Sequence, residues 1–416
     1  MPAAAPDQPP KARLLDLSRL VSRVGRGPWT GIDRVEAAYL AALLKRDDAL
    51  FALVRTASAQ YLLDRGGTER LARRLSGAEP WGPADWRSRL RRRSPPARRA
   101  AEADLRRLAC DRAGFGGLKA MLLRHLPAGT VWLNVGHSNL GAEPFAAIHA
   151  VQGGRASILV HDTIPLDHPA WQRPGTVESF RARLETTARH ADLVIVNSHA
   201  TGRDAARHFA AAGRVPPMLV AHLGTEVPRP AETLPPGLRP ERPYFVALGT
   251  IEPRKNHGFL LDLWAHLARD LPEAEMPALL ILGARGWANE PVFRRLETDP
   301  LMGRHVFEHA GLDDATVAAL VAGARALLAP SHAEGFGMPV AEALALGTRV
   351  IANDLAVYRE TLGNNPVYVD VADMYSWAQA VKGLLQEEET ASRAGRRADF
   401  RPQGWQEHFN LVLKVT

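Results

Sequence analysis

Glu334-Gly335-Phe336-Gly337-Met338-Pro339-Val340-Ala341-Glu342-Ala343-Leu344 sets two carboxylates eight residues apart, the first in a glycine-flanked turn. The apolar run before it, Ala326-Leu327-Leu328-Ala329-Pro330, predicts a short buried strand. The second carboxylate then falls one turn into a helix. Pro339 suits the first turn of that helix, where its missing N–H costs nothing, and Gly347 suits its C-cap. Strand, glycine turn and helix together present free backbone N–H groups and a positive helix end to a phosphate. Glycine at 335 and 337 permits close approach and unusual dihedrals. A carboxylate on either side of an anion site is placed for the hydroxyls of two sugars. A molecule built as sugar, diphosphate and ribose has that layout. Taken alone, Glu342 reads equally as a helix N-terminal acid worth about 0.3–1 kcal/mol.

Further motifs lie at strand ends. Arg254-Lys255 follows the apolar run Tyr244–Leu248 within Gly249-Thr250-Ile251-Glu252-Pro253-Arg254-Lys255-Asn256. That puts both cations on a loop at the carboxyl edge of a sheet, where open α/β sheets bind ligands. Two cations there suit a diphosphate that gains charge as its bond to a sugar breaks. An Arg-Lys pair by itself is more often a solvated surface pair. His161-Asp162-Thr163-Ile164-Pro165 ends the run Ser157–Val160, again at a carboxyl end. A lone histidine there is more often structural, and Asp162 reads equally as a cap for the next segment. His137, His199 and His222 read as structural. Asp33, after Gly31, has the plain reading of a helix N-terminal acid.

The strand–helix alternation continues in both directions. In the N-terminal half, strands are expected at Arg13–Leu17, Val131–Val135, Ser157–Val160, Leu193–Val196 and Met218–Val220, and a helix at Asp33–Leu44. The stretch from Leu71 to Leu126 reads as mostly helical. Six prolines between Glu226 and Pro243 form a semi-rigid linker composition that cannot enter a central strand. The expected organisation is an N-terminal domain 1–228 with a disordered tail 1–11, a linker 229–243, a C-terminal domain 244–400, and a helix within 401–416 that crosses back to the first domain. The fold class is α/β, two doubly wound Rossmann-like domains facing a cleft.

Composition bounds the alternatives. At 416 residues the chain is long enough for two cores. One cysteine, Cys110, rules out an intramolecular disulfide and fits a reducing, cytoplasmic compartment. The opening MPAAAPDQPPKAR lacks the apolar core of a signal peptide. The longest apolar run, Val317–Leu328, is too short for a membrane span and contains Arg325. The net charge of +7 does not imply nucleic acid, because only six of the 52 basic residues are lysine and no recognised module accompanies them. Nine arginines between Arg87 and Arg107 face only Glu102 and Asp104. They read first as a salt-bridged helical face, then as a peripheral contact with an anionic membrane. There is no GxxxxGK[ST], no HExxH and no Asp-x-Asp.

The Glu-x7-Glu pattern, the Arg254-Lys255 motif, Gly283-Ala284-Arg285-Gly286-Trp287 and His161-Asp162 occur in the order used by the family 4 retaining glycosyltransferases, which this chain resembles over roughly residues 155–405. The resemblance implies the GT-B architecture and a retaining, metal-independent hexosyltransferase using a nucleotide-diphosphate sugar and no cofactor. It assigns Glu342 to ribose hydroxyls and Glu334 and His161 to the donor sugar. Arg254 and Lys255 go to the leaving diphosphate, and Gly335, Phe336, Gly337 and Met338 give backbone contacts. Gly31 stands in a glycine loop that departs from the family's Gly-Gly pattern at Thr30. Trp287 with Asn289-Glu290 resembles a pattern of enzymes that build bacterial surface polysaccharides, favouring mannose and GDP-mannose as donor; Trp287 reads equally as core packing. The expected acceptor is a lipid-linked oligosaccharide. The rival expectations are a non-catalytic GT-B scaffold of a polysaccharide assembly complex and another GT-B enzyme such as a nucleotide-sugar epimerase. Loss of Glu334 or Lys255 would mark the scaffold, and both are present.

Overall fold

The computed structural model describes residues 10–89, 94–387 and 400–416. Fourteen strands form two sheets among them. Those of the first sheet are β1 Ala12–Asp16, β2 Ala49–Arg55, β3 Gln60–Leu63, β4 Asp111–Ala113, β5 Thr130–Asn134, β6 Arg155–Val160, β7 Leu193–Val196 and β8 Met218–Val220. Their spatial order is β4-β3-β2-β1-β5-β6-β7-β8. All neighbours are parallel except β2–β3 and β3–β4. The second sheet holds β9 Tyr244–Leu248, β10 Ala278–Leu282, β11 Val306–His309, β12 Ala326–Ala329, β13 Arg349–Ala352 and β14 Val367–Tyr368, in the order β11-β10-β9-β12-β13-β14.

The parallel strands are continuous apolar runs because helices cover both of their faces. Leu193–Val196 and Ala278–Leu282 are buried along their whole length. Successive residues feed opposite cores: Leu14 and Trp132 pack on one face of the first sheet, Leu15 and Leu133 on the other. The second sheet is likewise sandwiched between two apolar clusters, one with Phe245 and Ile281, the other with Val246 and Leu280. Residues 221–243 between the sheets carry neither helix nor strand.

The Trp405–Val415 helix docks on the first sheet. Phe409 and Val412 enter its core, and Tyr39 Oη lies 2.7 Å from His408 Nε2. Buried Arg13 on β1 donates to the carbonyls of Leu413 and Thr416 and pairs with Asp48.

The stretch from Leu71 to Leu126 is mostly helical, as its sequence reads, with helices at Arg65–Leu75, Trp86–Arg89, Pro96–Leu108 and Leu118–His125 and the short strand β4 among its described residues; β2 and β3 precede it. Its cations turn toward buried and partly buried acids. Arg106 reaches Asp85 at 2.6 Å, Arg107 and Arg74 reach Asp104 at 2.7 and 2.9 Å, and Arg98 reaches Glu102 at 3.2 Å. The Arg106 guanidinium holds the Asp85 carboxyl well below the usual range. This is the salt-bridged face of the first reading. Arg91, Arg92 and Arg93 lie outside the described residues. Among the described residues no helix is long and apolar enough to cross a membrane.

Candidate active site

In each sheet the strand order reverses at one place, between β1 and β5 in the first and between β9 and β12 in the second. A ligand crevice opens at such a reversal, beyond the carboxyl ends of the two strands. The loop after β9 carries Arg254 and Lys255, and the loop after β12 carries Glu334. The crevice of the second sheet therefore brings them together.

Glu334 is the centre of this group. Its carboxylate accepts from Lys255 Nζ at 2.6 Å, Arg254 Nη1 at 2.6 Å and Ser331 Oγ at 2.8 Å. Burial alone would raise its pKa. The two cations outweigh burial and hold it at about 2. Arg254 also pairs with Glu252 at 2.7 Å, and its neighbouring carboxylates push its own pKa up against the effect of burial. Arg254 thus spends its charge on two carboxylates. Lys255 has three N–H donors and gives one to Glu334, so it has capacity left for a ligand.

The glycines act through close approach. A Cβ at Gly335 would come 2.5 Å from the His161 carbonyl, so the Glu334 turn lies directly against the end of β6. Gly337 has φ +91° and abuts the ring of Tyr358, a conformation and a contact that a side chain would strain. Phe336 and Met338 alternate outward from this turn and pack on the core of the first sheet. Their side chains join the two halves of the molecule, leaving only backbone for a phosphate. Thr201 Oγ1 adds a 3.2 Å bond to the Gly335 carbonyl.

His161 and Asp162 meet this turn from the first sheet. His161 is buried, and its Nε2 lies 2.7 Å from the Val135 carbonyl, so this nitrogen carries the proton. Burial lowers its pKa to about 4, which makes it a neutral ring at physiological pH. The ring is anchored to its own sheet and does not reach Glu334. His137, in the left-handed region at φ +56°, accepts the His161 N–H at 3.2 Å. Asp162 caps Ile164 N–H at 3.2 Å, and burial raises its pKa to about 6. His222 and the N–H groups of His199 and Ala200 meet Glu360 across the interface, consistent with structural roles.

Glu342 lies on the Met338–Ala345 helix, one turn beyond the glycine loop. Its partner comes from the first sheet's side: Arg34 Nη1 at 3.0 Å. Arg34 Nη2 also bonds Asp314 at 2.6 Å. Burial pushes the Glu342 pKa up to about 7 despite Arg34. Gly31, three residues before Arg34, sits against Met338: a Cβ there would come 2.6 Å from its Cε. A cavity of about 720 Å³ opens beside this pair, lined by Arg34, Asp314, Glu342, Met338 and Trp405.

Sequence reasoning missed Arg34, Asp314 and Ser331. Arg34 had one local signal, a cation in the first turn of the Gly31–Leu44 helix, where the macrodipole disfavours it. Asp33, beside it, is fully buried and structural: it accepts Thr30 N–H at 2.8 Å and pairs with Arg19 and Arg23. Trp287 is neither core nor directed at the Glu334 group. Its Nε1 donates to the Trp171 carbonyl at 2.9 Å, bridging the two halves, with Arg173 over its ring.

Residues 231–400 match the family described as Glycosyl transferases group 1. The serotype-specific mannosyltransferase WbdA of Escherichia coli is 30% identical over 248 residues, 56% of this chain and 30% of that protein. O-antigen chain mannosyltransferase B of Escherichia coli is 28% identical over 241 residues, 56% of this chain and 62% of that one. The chain thus spans about a third of the length of the WbdA proteins it matches. Among solved structures, Anabaena Alr3699/HepE in complex with UDP and glucose aligns with TM-score 0.62 at 16% identity, over 97% of this chain and 98% of that one. An apo structure of OtsA aligns with TM-score 0.56 at 13% identity, over 97% and 96%. The fold is GT-B.

Proposed function

We propose that this chain, a GT-B protein whose residues 231–400 form a group 1 glycosyltransferase domain, transfers a hexose from a nucleotide-diphosphate sugar to an acceptor hydroxyl. The observation that carries the reading is the convergence of Lys255, Arg254 and Glu334 at the strand-order reversal of the second sheet, with Glu342 one helix turn away. A donor whose ribose hydroxyls bond Glu342 would lay its diphosphate along the N-terminus of the Met338–Ala345 helix and against Lys255. Glu334 would face the sugar.

The chemistry follows from charge. As the sugar–phosphate bond breaks, negative charge grows on the leaving diphosphate, and a preorganised cation stabilises that state more than the ground state. Lys255 has the free donors for this. Arg254 acts on Glu334, fixing the orientation of the carboxylate. His161 is neutral and anchored to its own sheet, so it is not assigned the acceptor's proton. The reading is a retaining, front-face route in which the departing phosphate takes the acceptor's proton. No metal is called for, since the side chains supply the positive charge. HepE was solved with UDP and glucose, in keeping with a nucleotide-sugar donor. The mannosyltransferase relatives favour mannose, given by GDP-mannose, and an oligosaccharide or lipid-linked acceptor in polysaccharide synthesis, met in the cytoplasm or at the inner membrane face.

A panel of nucleotide-sugars tested by thermal shift and then by transfer checks this. A ligand at 100 times its Kd adds about 2.7 kcal/mol to stability. Stabilisation by one nucleotide-sugar above the rest, followed by its consumption with acceptor, is the expected result. Stabilisation by none would refute the reading.

A further inference from the structure

Arg34 reaches the Glu342 end of the cleft from the first sheet's side, and its two side-chain contacts there are both carboxylates. Three facts set its position. Gly31 touches Met338 and Arg34 touches Glu342, so the first turn of the Gly31–Leu44 helix runs alongside the first turn of the Met338–Ala345 helix. Four residues of helix advance about 6 Å, so a guanidinium at Glu342 lies about one turn from the phosphate-facing end of that helix. A cation at a helix N-terminus is also disfavoured by the dipole unless a negative partner holds it.

The cation count at the site points the same way. Arg254 is committed to Glu252 and Glu334, and Lys255 partly to Glu334. A diphosphate brings about two negative charges into a cleft where the charge of Arg254 is already matched by two carboxylates. A nucleotide that takes Glu342 with its ribose hydroxyls would displace Arg34 from that carboxylate. The released guanidinium is then a long, flexible, permanently charged group within a turn of the diphosphate, and its fork suits two phosphate oxygens.

Building on the nucleotide-sugar reading, we propose that Arg34 is a donor-binding residue that exchanges partners: it rests on Glu342 and Asp314 in the empty cleft and turns to the diphosphate when the nucleoside binds. Glu342 then serves two successive partners, Arg34 and the ribose. The exchange couples nucleoside recognition to diphosphate recognition and draws the two halves together around the donor.

Calorimetry on the full chain tests it with GDP, UDP and ADP, each against the matching monophosphate. For whichever base binds, the wild type should prefer diphosphate over monophosphate by about ten-fold or more, the worth of a charge-assisted bond. Arg34→Ala should cut that preference to about three-fold or less while leaving monophosphate affinity equal or better, because Glu342 has been released. Arg34→Lys should restore part of the preference. A variant that loses monophosphate and diphosphate affinity in equal proportion would overturn the exchange and make Arg34 a strut between the domains, and an unchanged preference would also overturn it. If the wild type binds nucleotides and Arg34→Ala keeps the full preference, only this proposal falls. If the wild type binds none of the nucleotides, the nucleotide-sugar reading falls with it.

Discussion

Lys255 Nζ and Glu334 Oε1 stand 2.6 Å apart at the ends of two loops that leave adjacent strands of the second sheet, 79 residues apart in the chain. The pair is mostly buried, with side-chain exposures of 11% and 6%. Arg254 holds the other carboxylate oxygen, so the carboxylate stays compensated if Lys255 is removed. Lys255→Ala should therefore fold and keep its thermal midpoint within a few degrees. Its transfer rate should fall by about 10²–10³, the usual cost of one preorganised charge. Near-normal turnover would remove Lys255 from the site.

The same group makes an acid-stability prediction. The Glu334 pKa is depressed from 4.5 to about 2 in the folded state. A depressed acid contributes stability that is present above its unfolded value and lost as pH falls through the folded value. The window is therefore pH 4.5 down to about 2, and the contribution is about 3 kcal/mol. Glu334→Gln should be clearly less stable than wild type at pH 7, because two cations lose their shared partner. Denaturation at a series of pH values should show the gap narrowing through that window. A gap that does not change with pH would mean that the carboxylate's charge is not what holds the group together.

Metal removal gives a third check. The proposed leaving-group stabilisation comes from Lys255, with Arg254 behind it, so transfer should persist in excess EDTA. Abolition by EDTA with recovery on adding manganese or magnesium would show that a divalent ion carries the phosphate charge instead.

The parts of this molecule that were legible in sequence are those with local signals. The Ala326–Ala329 strand, the Gly335–Gly337 turn and the Met338–Ala345 helix are marked within twenty residues by an apolar run, two glycines and a proline. The Tyr244–Leu248 strand was legible for the same reason, a short and mostly buried apolar run. Strands β3 and β4 were not, because three- and four-residue strands that pair antiparallel carry too little periodicity to register. Arg34 was invisible as a site residue because its partners lie 308 and 280 positions away and only the folded molecule unites them. The anchoring of His161 on Val135 was hidden for a related reason: a strand end shows where a side chain starts, not which carbonyl it meets.

The last prediction separates the two carboxylates by pH as well as by role. Glu342 should serve affinity for the nucleoside and Glu334 the sugar as it departs. Glu342→Gln should weaken the free nucleoside diphosphate and the donor alike. Glu334→Gln should leave nucleoside-diphosphate affinity nearly unchanged and lower the single-turnover rate, because an interaction made only in the transition state appears in the rate. Burial raises the Glu342 pKa to about 7, and only its ionised form accepts two ribose hydroxyls fully. Wild-type affinity should therefore rise between pH 6 and pH 8 by more than that of Glu342→Gln. The terminal phosphate's own ionisation is common to both proteins, so the difference between the two profiles isolates the carboxylate. Calorimetry at the two pH values with the product nucleotide measures it. Identical profiles would show that Glu342 does not hold the ribose, and a rate effect confined to Glu342→Gln would mean that sugar and ribose lie in the opposite order along the cleft.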